Sequence, residues 1–182
     1  MKKDSPVYFV GFITDLGFDE FIQKWDYYAK QDSTTNFAVV LQQETESKTR
    51  FKYISHHKLK NDPITFSFMK GRNSEHFADQ KVRVVNVGGY TPMITGCIHP
   101  HKNNDARLIA FLSHTETDID FYRQLLPAAC VNIYQAYYES CTYGYVVEFF
   151  LPELAAADLL QQLKIRPGIE VSLYKECMVP HI

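Results

Sequence analysis

The chain has almost no net charge: nineteen Lys and Arg stand against twenty-one Asp and Glu, a formal charge of -2 over 182 residues. That balance supplies no broad positive field for phosphates or an anionic bilayer, so neither nucleic acid nor a membrane surface is an expected partner. Long apolar runs are missing as well. The run from Val7 to Ile13 is too short for an export core, and no stretch approaches the roughly 18 apolar residues that a membrane span needs. The four cysteines, Cys97, Cys130, Cys141 and Cys177, form no Cys-x-x-Cys pair and no dense framework, which reads as reduced thiols in a cytoplasmic protein. Gly88-Gly89 follows a strand-like stretch without completing a Gly-x-Gly-x-x-Gly loop. No P-loop lysine motif and no Gly-x-Ser-x-Gly elbow occur either, which disfavours dinucleotide, P-loop and simple serine-hydrolase chemistry. No cofactor is implied.

What the chain does have is aromatic and β-branched sequence. Aromatic residues make up 14%, with 12 Tyr and 13 Phe, a composition that favours strands and amphipathic cavity walls. VYFVGFIT at 7–14 reads as a buried strand ending in a turn at Asp15, Leu16 and Gly17. Phe18, Phe21, Ile22, Trp25, Tyr28 and Ala29 then fall on one helical stripe, with Asp19 and Glu20 at the positive end of the helix dipole. Strand-like stretches follow at 36–45, 50–59 and 82–87, the last ending at a Gly88-Gly89 turn, with a short strand expected at 65–70 and a brief helix at 74–79.

After a polar connector at 96–105 the order begins again. A strand is expected at 107–113 and a helix capped by Asp118. A hairpin over 131–151 follows, then a helix bearing Ala156, Leu159, Leu160 and Leu163 and stopped by Pro167-Gly168, and a strand at 169–177. The second half thus has a β-α-β-β-α-β order, and the first follows it with an insertion near 61–72. The expected fold class is α+β: two tandem ferredoxin-like repeats, 1–95 and 106–182, with antiparallel sheets packed face to face or closed into an α/β barrel and helices outside. Several strands are apolar on both faces, so the second face needs a cover, and the other sheet is the obvious one.

This repeated order, together with the helix FDEFIQKWDYYAK and its Phe-x-x-Phe-Ile-x-x-Trp pattern, resembles the dimeric α/β-barrel superfamily, of the antibiotic-biosynthesis-monooxygenase and stress-responsive types. The resemblance covers nearly the whole chain at the level of element pattern. It implies a barrel in a group that hosts cofactor-free oxygenases, haem enzymes, isomerases and proteins without activity, and it transfers no catalytic residue.

The candidate site residues come from the strands and the insertion. His56 and His57 are adjacent on a strand and point to opposite faces, so they cannot act as a pair. Tyr53, Ser55 and His57 share a polar, aromatic face, on which His57 is a candidate catalytic base and Tyr53 a ligand-orienting group; the bland alternative is a half-exposed histidine on a basic strand. Arg72 and His76, with Glu75, suit a pocket rim where the arginine holds a ligand oxyanion, or else a solvated loop. Glu148, among apolar neighbours in YGYVVEFFL, either faces a cavity or pairs with a cation. Cys97, His99 and His101 alternate in the connector but lack the paired spacing of a strong metal motif, so no metal is expected. The tyrosines at 134, 137, 138, 143 and 145 read as core and cavity packing. The functional expectation is a barrel binding a small aromatic or apolar ligand, either a cofactor-independent oxygenase or isomerase, or a non-catalytic interaction module forming a homodimer.

Overall fold

The computed structural model describes residues 7–29, 35–44, 49–59, 82–96, 105–115, 118–124, 130–137 and 141–178. The strands are β1 (Val7–Thr14), β2 (Thr35–Gln43), β3 (Tyr53–Leu59), β4 (Val82–Thr95), β5 (Asp105–Leu112), β6 (Cys130–Ala136), β7 (Tyr145–Pro152) and β8 (Ile169–Met178). The helices among the described residues are α1 (Phe18–Ala29), α2 (Ile119–Gln124) and α3 (Glu153–Lys164). The strands run β1-β3-β2-β8-β5-β7-β6-β4 around one closed barrel, and β4 returns to β1. All of its ladders are antiparallel. No helix among the described residues is long and apolar enough to cross a membrane.

Strand alternation sorts the apolar residues into an inside and an outside. Every strand sends residues to one interior cluster, among them Phe9, Leu41, Ile54, Val85, Tyr90, Ile109, Phe111, Tyr134, Val146 and Tyr174. The alternate residues point outward and are covered by helices. Tyr8, Val10, Phe12, Val40 and Tyr53 pack with Phe21 and Trp25 of α1. Leu108, Ala110, Ile133, Val147, Phe149 and Val171 pack with Tyr122 of α2 and with Ala156, Leu159, Leu160 and Leu163 of α3. The turn into α1 is held by Leu16 N donating to Thr14 Oγ1 (3.1 Å), and Asp118 Oδ1 accepts from Phe121 N at the start of α2 (3.2 Å).

The closed barrel corrects the expected fold class. Two tandem ferredoxin-like repeats would be two units, each with its own sheet; the chain instead forms one continuous, mostly β barrel. The strand edges that separate sheets would leave open are used up, because β2 pairs with β8 and β4 with β6. Element order along a chain carries no record of such long-range edge pairing, which the closed register supplies. The strand and helix expected at 65–70 and 74–79 lie outside the described residues, as does most of the 96–105 connector.

A second correction concerns the glycine pair. It is no turn: β4 runs straight through it, and the β1 ladder jumps from Phe9 opposite Gly88 to Val10 opposite Asn86. The extra residue is a bulge, and Gly88 sits at φ +127°, a region that residues with a Cβ rarely enter. A Cβ there would also meet Cys141 Sγ at 2.6 Å. Gly88→Ala is therefore expected to lower the unfolding free energy by about 1 to 3 kcal/mol, measured by urea unfolding. Adding Cys141→Ala should restore only part of the loss, since it relieves the contact and leaves the dihedral strain.

The cysteines also depart from expectation. Cys141 and Cys177 are free, but Cys130 at the head of β6 is disulfide-bonded, so the reduced-thiol premise behind a cytoplasmic location does not hold there. Alkylation of the unfolded, unreduced protein should label Cys141 and Cys177 and spare Cys130 until reductant is added, as read by peptide mass spectrometry.

Candidate functional site

The interior of the barrel is mostly apolar, and toward one end four strands bring ionisable side chains together. On β5 the inward residues are Arg107, Ile109 and Phe111, while Leu108 and Ala110 face α3. On β7 the same alternation turns Glu148 inward between Val147 and Phe149. His56 comes from β3 and Tyr134 from β6. Arg107, His56 and Glu148 are 6%, 5% and 1% exposed, a degree of burial that charged groups tolerate only when paired.

They are paired. The Arg107 guanidinium donates to Glu148 Oε1 and to His56 Nδ1, the latter at 3.0 Å. Tyr134 donates its hydroxyl to Glu148 Oε2 at 2.7 Å. His56 Nδ1 lies 3.6 Å from Glu148 Oε1, and Arg107 also reaches toward the exposed Glu176 at 3.7 Å. The His56 ring stacks on Phe9 with centroids 4.4 Å apart and meets Tyr134 edge-on at 5.9 Å. The Arg107 guanidinium lies 5.3 Å from the Phe150 ring centroid.

These contacts set the protonation states. Burial by itself pushes the Glu148 carboxyl up, but the adjacent Arg107 charge and the hydrogen bonds from Arg107 and Tyr134 overcome it and hold the group down at about 2. Burial, joined by Arg107, outweighs the attraction of Glu148 at His56 and lowers the imidazole to about 3. Burial, with the Glu148 carboxylate beside it, raises the Tyr134 phenol well above its ordinary value. At neutral pH the cluster is one cation, one anion, a neutral imidazole and a protonated phenol. Two of its buried atoms, His56 Nε2 and Arg107 Nε, have no hydrogen-bond partner among the described residues.

The opposite end of the interior is filled. Phe51 packs edge-on against Phe111 and Tyr143, at 5.4 and 6.3 Å between centroids. A Cβ on Gly11 would strike Phe51 at 2.5 Å. Outside this plug Tyr143 donates to Glu170 (2.7 Å) and accepts from Arg50 (3.3 Å), while Tyr174 donates to the Phe51 carbonyl (3.0 Å).

Of the expected site residues, only Glu148 falls in this cluster, and it takes the cation-paired alternative. His57 and Tyr53 are on the other side of their strand, beneath α1. Tyr53 stacks on Phe21 (4.1 Å) and donates to the Leu16 carbonyl (3.1 Å), and His57 bonds Ser55 through Nε2 (2.8 Å) 6.2 Å from the Trp25 ring. The assignment of His57 as a pocket base is corrected accordingly: the face it shares with Tyr53 is polar yet covered by a helix, and the inward histidine is His56. Arg72 and His76 lie outside the described residues, as do Cys97, His99 and His101. Among the described residues no group of three or more His, Cys, Asp or Glu could hold a metal ion. Sequence reasoning missed Arg107 and Tyr134. A signal for Arg107 was present, since a lone arginine in a strand apolar on both faces must find an anion indoors.

Comparison with known proteins yields fold alone. No family model matches the chain, and no curated protein sequence does. Among solved structures, one described as an anthrone oxidase-like protein superposes with a TM-score of 0.60 at 7% identity, covering 97% of this chain and 93% of that one. The match supports the barrel fold, and at that identity it carries no residue roles.

Both acidic shifts have the same sign in their effect on stability. The unfolded state binds more protons than the folded one, so stability rises with pH. The contribution of His56 is complete above about 6.5 and is lost as the pH falls toward about 3; that of Glu148 is lost from about 4.5 toward about 2. The urea midpoint should therefore fall below about pH 6.5, before ordinary carboxylates titrate, and His56→Phe should flatten that upper limb while leaving the lower one.

Proposed function

We propose that the barrel binds a small aromatic or apolar molecule through an oxygen acceptor, with that oxygen at His56 and Arg107 and its body among Phe9, Tyr90 and their interior neighbours. The observation that carries this reading is the pair of buried nitrogens without a partner among the described residues. Arg107 Nε can only donate, and a buried donor left unsatisfied costs about 1 to 3 kcal/mol. An acceptor on a bound molecule recovers that cost, and the aromatic walls supply the apolar part of the fit. The solved structure described as anthrone oxidase-like supports an aromatic ketone as the kind of molecule to try.

Binding leads over proton abstraction in this reading. The interior groups that could accept a proton, His56 and Glu148, are held near 3 and 2 and are poor bases at neutral pH. Arg107 is better suited to stabilise charge on a ligand oxygen, as an enolate or phenolate would carry in a cofactor-independent oxidation or isomerisation.

The test is calorimetric titration with aromatic ketones of increasing size, namely acetophenone, tetralone and anthrone, against the matching hydrocarbons ethylbenzene, tetralin and dihydroanthracene. At least one ketone should bind roughly 10-fold or more tighter than its hydrocarbon, the preference expected when a buried donor is left unpaired. His56→Phe combined with Arg107→Met and Glu148→Gln should abolish the preference. Equal affinity within every pair, or no binding at all, overturns the reading; product formation under air separates an enzyme from a binding module.

A further inference from the structure

We propose that Arg107 is a positioning residue that fixes the tautomer of His56, keeping the ring proton on Nε2 and so making the imidazole a standing hydrogen-bond donor inside the barrel. The argument is one of inventory. A guanidinium has N–H groups and no acceptor, so a hydrogen bond between Arg107 and His56 Nδ1, at 3.0 Å, requires a bare lone pair on Nδ1. A neutral imidazole with a bare Nδ1 carries its proton on Nε2.

The surroundings hold both partners in place. Arg107 is tied to Glu148, sits over the Phe150 ring and extends toward Glu176. The His56 ring is clamped flat on Phe9 and edge-on to Tyr134. The burial that lowers the imidazole keeps the ring from gaining a second proton at neutral pH. This arrangement reverses the common one, in which a carboxylate or carbonyl accepts from Nδ1–H and leaves Nε2 free to act as a base. Glu148 Oε1, 3.6 Å from Nδ1, lies just beyond hydrogen-bond distance for that role, and the guanidinium occupies the contact.

The consequence deepens the function proposed above and rests on it. With Nε2–H and Arg107 Nε–H both donors, a ligand atom that meets either must offer lone pairs. A carbonyl or phenolate oxygen fits, and a ring N–H does not.

The test reads the tautomer directly in the full chain without ligand. Long-range proton–nitrogen NMR on protein labelled with nitrogen-15 histidine distinguishes protonated from bare ring nitrogens, and the His56 signals are assigned by their loss in His56→Phe. A protonated Nε2 and a bare Nδ1, constant between about pH 5 and 8 where a free imidazole would titrate, are expected in the wild type. Glu148→Gln should keep that pattern, because the donor remains. Arg107→Met together with Glu148→Gln removes both charges at once, leaves neither buried alone, and should release the ring to a mixture of tautomers.

A wild-type ring protonated on Nδ1 or on both nitrogens overturns the proposal, as does an unchanged pattern in the double variant. Should that variant not fold, the scalar coupling across the hydrogen bond from the Arg107 guanidinium to Nδ1 in the wild type decides the point, its presence supporting the lock and its absence ending it. The ligand half is read separately, as tetralone binding at least about 10-fold tighter than tetrahydroquinoline, which offers an N–H in the same bicyclic frame. If the tautomer is found and neither compound binds, the lock stands and the binding function falls; if ketones bind to an Nδ1-protonated ring, the reverse holds.

Discussion

An arginine and a glutamate buried together in a mostly apolar barrel impose the condition that the rest of the interior has to meet. Removing either partner leaves the other as an uncompensated charge, which costs several kcal/mol. The remaining groups accordingly read as accessories to this pair. Tyr134 takes the second oxygen of Glu148, His56 takes a second donor of Arg107, and Phe150 lies against the guanidinium. Replacing such a pair by apolar residues of similar volume is often neutral or stabilising, so stability alone gives little reason to keep it. The nitrogens beside it that have no partner among the described residues give, under the proposed binding reading, a reason of another kind.

Closure is what lets residues so far apart in sequence meet. His56 and Glu148 sit on strands that are not neighbours, and they face each other across the lumen because each lies on the inward row of its own strand. A one-residue slip would turn either outward. The bulge at Gly88 therefore has a role beyond local shape: it absorbs one residue of β4, so that Val85 and Tyr90, on opposite sides of it and of opposite parity, both face the interior with Phe9, which lies beneath the His56 ring. The two ends of the lumen then diverge in character. Phe51, pressed against Gly11, fills one; the charged cluster occupies the other.

Local structure was legible in the sequence where periodicity was strong. The stripe through Phe21 and Trp25 and that through Ala156, Leu159, Leu160 and Leu163 correspond to the buried faces of α1 and α3, and the doubly apolar strands signalled that both sheet faces are covered. What was not legible was which cover each face receives. Tyr53, Ser55 and His57 looked like a pocket wall because they mix aromatic and polar groups, yet Phe21 and Trp25 cover that face, and the Tyr53 hydroxyl and His57 Nε2 are bonded locally to the Leu16 carbonyl and Ser55. His56 carried no stronger mark than His57; only the register of β3 in the closed sheet separates them. The glycine pair was ambiguous for a related reason, since a turn and a bulge both call for a positive φ.

The charge arithmetic of the site argues for what kind of molecule belongs in it. Arg107 is already neutralised by Glu148, and Glu176 adds a second anion nearby, so a ligand arriving as a permanent carboxylate would meet a region of zero or negative net charge and would have to displace Glu148 from its partner. A neutral carbonyl, as proposed, would ask for no such exchange: it would accept hydrogen bonds from nitrogens that have no acceptor among the described residues and leave the ion pair intact. If charge then develops on that oxygen, the guanidinium is already oriented beside it and no water needs to reorganise, the situation in which fixed donors lower a barrier most. Under the proposed binding reading, the buried ion pair would favour molecules that enter uncharged, and Glu148 would act as a filter against carboxylates through the partner it holds.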